Sequence, residues 1–265
     1  EIAVPATRVY CAVTRNLWET DRDRSERMFE HVLTLMGEPV LFDEIVSQRD
    51  SFPSELQPKL INEAAKILRK TLGDTRMIPS RMAIVKRMES LGIDVGASAR
   101  KHGFITKWRF LGPFRSPEGK QDMITQGQKL YISEPTVDLD ASYSTGDHQL
   151  KWEEYTSPLP RIDMLLIYDL ITWCVTYAMA EINLPEDEEI QLRFGSFDGF
   201  KCWFNGVEVG ASYDRREFSY DSDVYDVQGK KGKNQILIKL NQGTGAWQFA
   251  LKVFDAQGNI VPGLD

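Results

Sequence analysis

The chain has 265 residues, 27% charged and 42% hydrophobic, with a formal net charge of −7. That length supports a full core and points to two domains, while no apolar run approaches the roughly 20 residues of a membrane span. Through Phe104 there are 16 Lys and Arg against 15 Asp and Glu, and beyond it 16 against 24; the acidity lies in the C-terminal part, which repels nucleic acid.

The first residue is Glu1 rather than Met, and residues 1–30 do not read as a secretory leader. A chain that begins after processing, or a piece of a longer protein, is therefore expected. Cys11, Cys174 and Cys202 are odd in number and far apart, with no CxxC and no metal-ligand spacing. They read as buried thiols, and a Cys174–Cys202 bridge requires that their strands be neighbours.

Residues 1–103 read as helices. Pro5–Leu17 is short and mixed. Ser25–Met36 carries Met28, Phe29, Val32, Leu33 and Met36 at helical spacing and is stopped by Gly37 and Pro39. Val40, Leu41, Ile45 and Val46 mark a second short amphipathic set. Ser54 is the expected N-cap ahead of Leu60, Ile61, Ala64, Ile67, Leu68 and Leu72, and Ser80 opens a helix through Leu91. Each helix has one apolar face, as in a helical repeat. The segment resembles the end of a HEAT-like α-solenoid; a small closed bundle is the alternative. His31 and His102 stand isolated.

After residues 101–106 the pattern changes. Gly, Pro and aromatic residues punctuate short alternating runs, which predicts an all-β sandwich. The expected strands are Trp108–Leu111, Leu150–Thr156, Trp173–Asn183, Gln191–Gly195, Lys201–Phe204, Val207–Val209, Val224–Val227, Gln235–Leu240 and Trp247–Asp255. Gly112 and Pro113 are expected to end the first. Asn205-Gly206 supplies the two positive-φ residues of a type I′ turn and sets a tight hairpin. Ile236, Ile238 and Leu240 share one face, as do Trp247, Phe249, Leu251 and Val253. Residues 115–149 read as a long covering loop, with a candidate strand at Leu130–Ile132.

Seven motifs occur in order: Trp108-x-x-Leu111-Gly112-Pro113-Phe114, Trp152, Tyr177-Ala178, Gly195-Ser196-x-Asp198-Gly199, Trp203-x-Asn205-Gly206, Lys231-Gly232-x-Asn234-x-Ile236-Leu237-Ile238-Lys239 and Gly245-x-Trp247-x-Phe249-x-Leu251. The set resembles the galactose-binding-like jelly rolls attached to large secreted proteins of planctomycete-type bacteria, over about residues 107–258. The resemblance implies a non-catalytic appendage outside the cytoplasm, periplasmic or extracellular. It also implies a carbohydrate ligand. The Ser196–Gly199 loop resembles the Ser-Asp-Asp-Gly loop of PA14 domains, in which two adjacent Asp residues hold Ca²⁺. Here Phe197 replaces the first, and a hard cation needs several oxygens. Ca²⁺ at this loop is thus not favoured, and Asp198 reads as a turn carboxylate bonded to a backbone N–H.

Trp152, Trp173, Trp203, Tyr213, Tyr220 and Tyr225 are too many aromatics for one core. Aromatic platforms beside polar groups suit a sugar ring, and aromatic rims also suit a protein partner. With Cys202 and Phe204 turned inward, Trp203 faces outward, either covered by the 115–149 loop or open as a platform. The candidate ligand-binding residues are Trp152, Trp203, Asp198, Asn205 and Tyr213. Asp221, Asp223 and Asp226 are the candidate metal ligands; the alternative for them is a solvated acidic loop, since no EF-hand pattern is completed. Glu186–Glu189 reads as a solvated turn. No Gly-x-Ser-x-Gly, phosphate loop, dinucleotide fingerprint or paired glycosidase carboxylates stand out. The expectation is an α+β chain with an α-helical repeat or bundle at 1–103 and a jelly-roll sandwich at 107–265. It is expected to act as a non-catalytic glycan-binding module without a cofactor; the alternative is a structural domain docking a partner protein.

Overall fold

The computed structural model describes residues 3–74, 78–115, 122–145, 148–168 and 171–264. The chain is α+β and divides into two compact units, residues 1–94 and 95–265.

The first unit is helical: α1 (Ala3–Asn16), α2 (Arg22–Leu35), α3 (Pro39–Ser47), α4 (Gln57–Asp74) and α5 (Ile78–Ser90). Its core holds Cys11, Phe29, Val32, Met36, Ile45, Leu60, Ala64 and Met88, one apolar face from each helix. The helix starts differ from expectation. Asp21 caps α2 by accepting from the Arg24 N–H at 3.1 Å; Ser25 is buried instead and donates to the Thr14 carbonyl. Ser54 bonds Glu55 and α4 begins three residues later. Ser80 lies inside α5.

The second unit opens with α6 (Ala97–Arg100) and continues with β1 (Lys107–Arg115), α7 (Met123–Gln128), β2 (Tyr143–Thr145), β3 (His148–Leu150), β4 (Glu153–Thr156), β5 (Ile162–Asp163) and α8 (Leu165–Tyr168). Then follow β6 (Cys174–Leu184), β7 (Glu188–Ser196), β8 (Phe200–Phe204), β9 (Val207–Ser212), β10 (Asp223–Gly229), β11 (Gly232–Gln242) and β12 (Gln248–Asp255). Two antiparallel sheets, β4-β1-β6-β11-β8-β9 and β10-β7-β12-β5, enclose one core, and β2-β3 form a separate hairpin. Residues 99–106 belong to the β unit: Phe104 and Ala99 pack on Ala250, and the Ile105 N–H donates to the Leu251 carbonyl.

The core is built by alternation. Ala178, Ala180 and Ile182 of β6, Cys202 and Phe204 of β8, and Ile236, Ile238 and Leu240 of β11 face Leu192 and Phe194 of β7 and Phe249, Leu251 and Val253 of β12. Trp247 lies in the same core. The β8–β9 hairpin turns on Asn205 (φ 48°) and Gly206 (φ 79°), as the dipeptide predicts. Gly112 and Pro113 do not end β1. The register shifts between Leu111 and Phe114 and the strand runs on to Arg115, a bulge that keeps the pairing with β6. β11 separates β6 from β8, so Cys174 and Cys202 are not neighbours, and all three thiols are free and buried.

Candidate functional site

β6 is apolar on both faces. Val175, Tyr177 and Met179 point away from the main core and, with Leu111, Phe114, Leu237 and Trp203, form a second apolar layer on the outside of the six-stranded sheet. The segment between β1 and β4 covers it. Leu130–Ile132 is not a strand; Ile132 inserts into the layer, with Tyr131, Val137, Tyr143, Leu150 and Trp152 around it.

Polar side chains of β11 hold this cover. Asn241 donates to the Met123 carbonyl at 3.2 Å and Lys239 to the Lys129 carbonyl at 2.6 Å, one at each end of α7. Lys239 also meets Glu134 at 2.7 Å, with side chains 0% and 4% exposed. The Tyr177 hydroxyl donates to the same carboxylate oxygen. Burial lowers the pKa of the Lys239 ammonium, and the Glu134 hydrogen bond and charge oppose it. Burial, then the Glu134 bond, raise the Tyr177 phenol. A methyl group at Gly127 would lie 2.3 Å from the Tyr213 ring, so glycine there lets α7 lie flat on Tyr213.

At the margin of the cover an open groove of about 860 Å³ is lined by Phe114, Tyr131 and Tyr143 and by Ser142, Ser144 and Thr145. The Phe114 ring is its hub, 5.2 Å from Tyr131 and 6.2 Å from Tyr143 between centroids. β2 and β3 pair Tyr143 with Leu150, which sets the tyrosine into the wall. Burial raises the Tyr131 and Tyr143 phenols, with Asp138 adding to the second; the Tyr131 hydroxyl is buried without a hydrogen-bond partner. Flat apolar rings beside hydroxyls match the CH faces and hydroxyl edges of a saccharide. The groove residues come from three separate segments; the signal in the sequence was Tyr131 and Tyr143 standing in a mostly polar stretch.

The residues expected at the site do not gather in this groove. Trp203 is 4% exposed beneath the cover, the covered outcome rather than a platform, and Lys201 lies 5.0 Å from its ring. Trp152 is half-buried at the edge of the same layer and donates to the Asp138 carbonyl at 3.1 Å. Asp198 (φ 61°) is 1% exposed and accepts from the Gly243 N–H at 2.8 Å. Burial raises its pKa, against that bond and Arg215. Asn205 holds its own turn, accepting from the Gln235 N–H and donating to Asn234.

Nor do the three candidate metal ligands converge. Asp221 pairs with Lys252 at 2.6 Å, Asp223 with Arg216 at 2.7 Å, and Asp226 accepts from Gln191 at 2.9 Å. Strand alternation is the reason: Asp223 lies on the half-buried side of β10 and Asp226 on the exposed side. Among the described residues, no three His, Cys, Asp or Glu side chains are placed to hold a metal. No described helix is long and apolar enough to cross a membrane.

No family profile and no curated protein matches the chain. Solved structures similar in part include the following three. A β-glucosidase from Kluyveromyces marxianus in complex with glucose is 10% identical over 57% of this chain and 16% of that one, with a TM-score of 0.37. A PA14 sugar-binding domain from an RTX adhesin is 16% identical over 34% and 51%, with a TM-score of 0.29. An anti-sigma factor domain-containing protein from Clostridium clariflavum is 9% identical over 60% and 45%, with a TM-score of 0.33. The chain thus spans about half or less of each, and likenesses at these scores carry no assignment.

Proposed function

We propose that the β unit is a non-catalytic saccharide-binding module and that its site is the groove at Phe114, Tyr131 and Tyr143. The observation that carries this reading is the pairing of the half-buried Tyr131 and Tyr143 rings, packed on the buried Phe114, with the hydroxyls of Ser142, Ser144 and Thr145 in one open groove. Rings supply a low-entropy stacking surface, and hydroxyls exchange hydrogen bonds with sugar hydroxyls at little desolvation cost. Resemblance of the motif set to galactose-binding-like jelly rolls points to the same ligand class. The all-antiparallel order of the two sheets supports the jelly-roll reading. The helical unit, with its short one-faced helices, is read as a HEAT-like scaffold. By the same resemblance the module acts in the periplasm or outside the cell, without a cofactor and without binding nucleic acid.

A glycan array with the purified chain tests the reading. Wild-type protein should bind a defined set of saccharides. Tyr143→Leu, which removes the ring and hydroxyl but keeps apolar volume in the wall, should weaken binding at least tenfold while the melting temperature changes little. A chain that binds no saccharide contradicts the proposal and favours docking of a partner protein.

A further inference from the structure

The groove carries charge that stacking does not need. Arg115 and Lys129 line it together with the His148 imidazole, and no Asp or Glu is among its described lining residues. All three are exposed. This runs against the composition of the chain beyond Phe104, where acids outnumber bases by 24 to 16. Two cations at one groove of an acidic protein offer contacts to an anionic group, with Asp138 near Tyr143 setting a limit on how strongly the groove attracts polyanions in general.

The positions are set by structure. Arg115 is the last residue of β1, paired with Cys174 of β6 and next to the hub ring Phe114. Lys129 follows α7; its carbonyl is pinned by the buried Lys239, and its own ammonium sits 5.3 Å from the Tyr131 ring. His148 is fixed by pairing with Thr145 across the β2–β3 hairpin. The bases therefore border the aromatic surface from three sides of the sequence, on backbone that is hydrogen-bonded in place.

We infer that the groove takes an acidic oligosaccharide, one whose sugar rings stack on Tyr131 and Tyr143 while a carboxylate or sulfate is held by Arg115 and Lys129. The inference rests on the saccharide-binding reading and adds the charge of the ligand. Arginine offers two parallel N–H donors to a carboxylate or sulfate, and lysine a mobile point charge beside it.

The test is titration calorimetry of the full chain with four probes: a hyaluronan tetrasaccharide, the same compound with its carboxyls reduced to alcohols, a chondroitin sulfate tetrasaccharide, and polyglutamate. Hyaluronan or chondroitin sulfate should bind at least tenfold tighter than the reduced compound, and polyglutamate weakly. The two acidic sugars together separate carboxylate from sulfate recognition. Arg115→Gln with Lys129→Ala should erase the preference, bringing the acidic sugars down to the affinity of the reduced compound for the same variant. Lys129→Ala keeps the carbonyl that Lys239 uses, so the cover stays in place. Equal binding of acidic and reduced sugars overturns the inference and leaves the saccharide reading standing. Polyglutamate binding as tightly as the sugars overturns it as unspecific charge attraction. Failure of all four to bind overturns it as well, and the array then decides whether neutral saccharides bind elsewhere on the chain.

Discussion

Lys239 Nζ lies 2.7 Å from Glu134 Oε1, and the pair ties the central strand of the larger sheet to the segment that covers it. An isolated buried charge is costly, and a pair is tolerated when its remaining donors and acceptors are used. Here the Lys129 carbonyl and the Tyr177 hydroxyl use them. Glu134→Ala should lower unfolding stability by about 3–5 kcal/mol in a denaturant titration, because it strands the ammonium. The double variant Lys239→Met, Glu134→Leu should recover at least half of that loss. A double variant as unstable as the single one would show that the pair itself, rather than its completeness, holds the cover.

Trp203 contributes through packing. It shares the second layer with Leu237, Tyr177 and Met179. Trp203→Ala should cost about 3–5 kcal/mol, as for other buried large aromatics. Trp152, half-buried at the edge, should cost clearly less. Equal and small losses for both would mean that the cover does not pack as described.

Asp198 predicts the response to metal removal. Its folded pKa is raised by burial, so its contribution is fully present below the ordinary 3.8 and is lost as pH rises through the folded value. At neutral pH the ionised form is a burden. Asp198→Asn keeps an acceptor for the Gly243 N–H, tolerates the positive φ, and should leave stability unchanged or raise it. Melting with a chelator should match melting with added Ca²⁺. A fall of many degrees on chelation contradicts this.

The thiols predict alkaline behaviour. Burial raises Cys11 from 9.0 to about 11, Cys174 to about 12 and Cys202 to about 12. Tyr225 rises from 10.0 to about 12, through burial and then Asp223. For groups with a raised folded pKa, the stability is complete below the unfolded pKa and is lost as pH climbs through the folded one. Lys239 works in the opposite sense, its burden easing as pH approaches 10.5. The three thiols and the raised phenols of Tyr131, Tyr143, Tyr177 and Tyr225 outnumber one amine, so stability should fall from about pH 9 upward. At pH 8 the native chain should give almost no reaction with a thiol reagent, and three equivalents once unfolded. One fast equivalent in the native state would refute the buried placement.

Much of the fold is legible because alternation and turn chemistry act locally. Asn205-Gly206 fixes a hairpin by its own backbone preference, and Phe249, Leu251 and Val253 declare one face of β12 without reference to any partner. Tyr177 and Met179 beside Ala178 and Ala180 make β6 apolar on both sides. What covers the second side is not local. Phe114, Tyr131 and Tyr143 come from three segments without shared periodicity, and Lys239, at a polar position in the alternation of β11, is fully buried against Glu134, which arrives from a distant segment. The candidate residues around Ser196–Val209 drew notice because turns concentrate Asp, Asn and Gly, and here those residues hold backbone in place.

Hydrogen–deuterium exchange with and without the saccharide that ranks first on the array tests the account most directly. Slower exchange confined to residues 129–131 and 142–150 is the predicted result. Protection at residues 196–213, with 129–131 and 142–150 unchanged, would contradict it and return the site to the loops around Asp198 and Asn205.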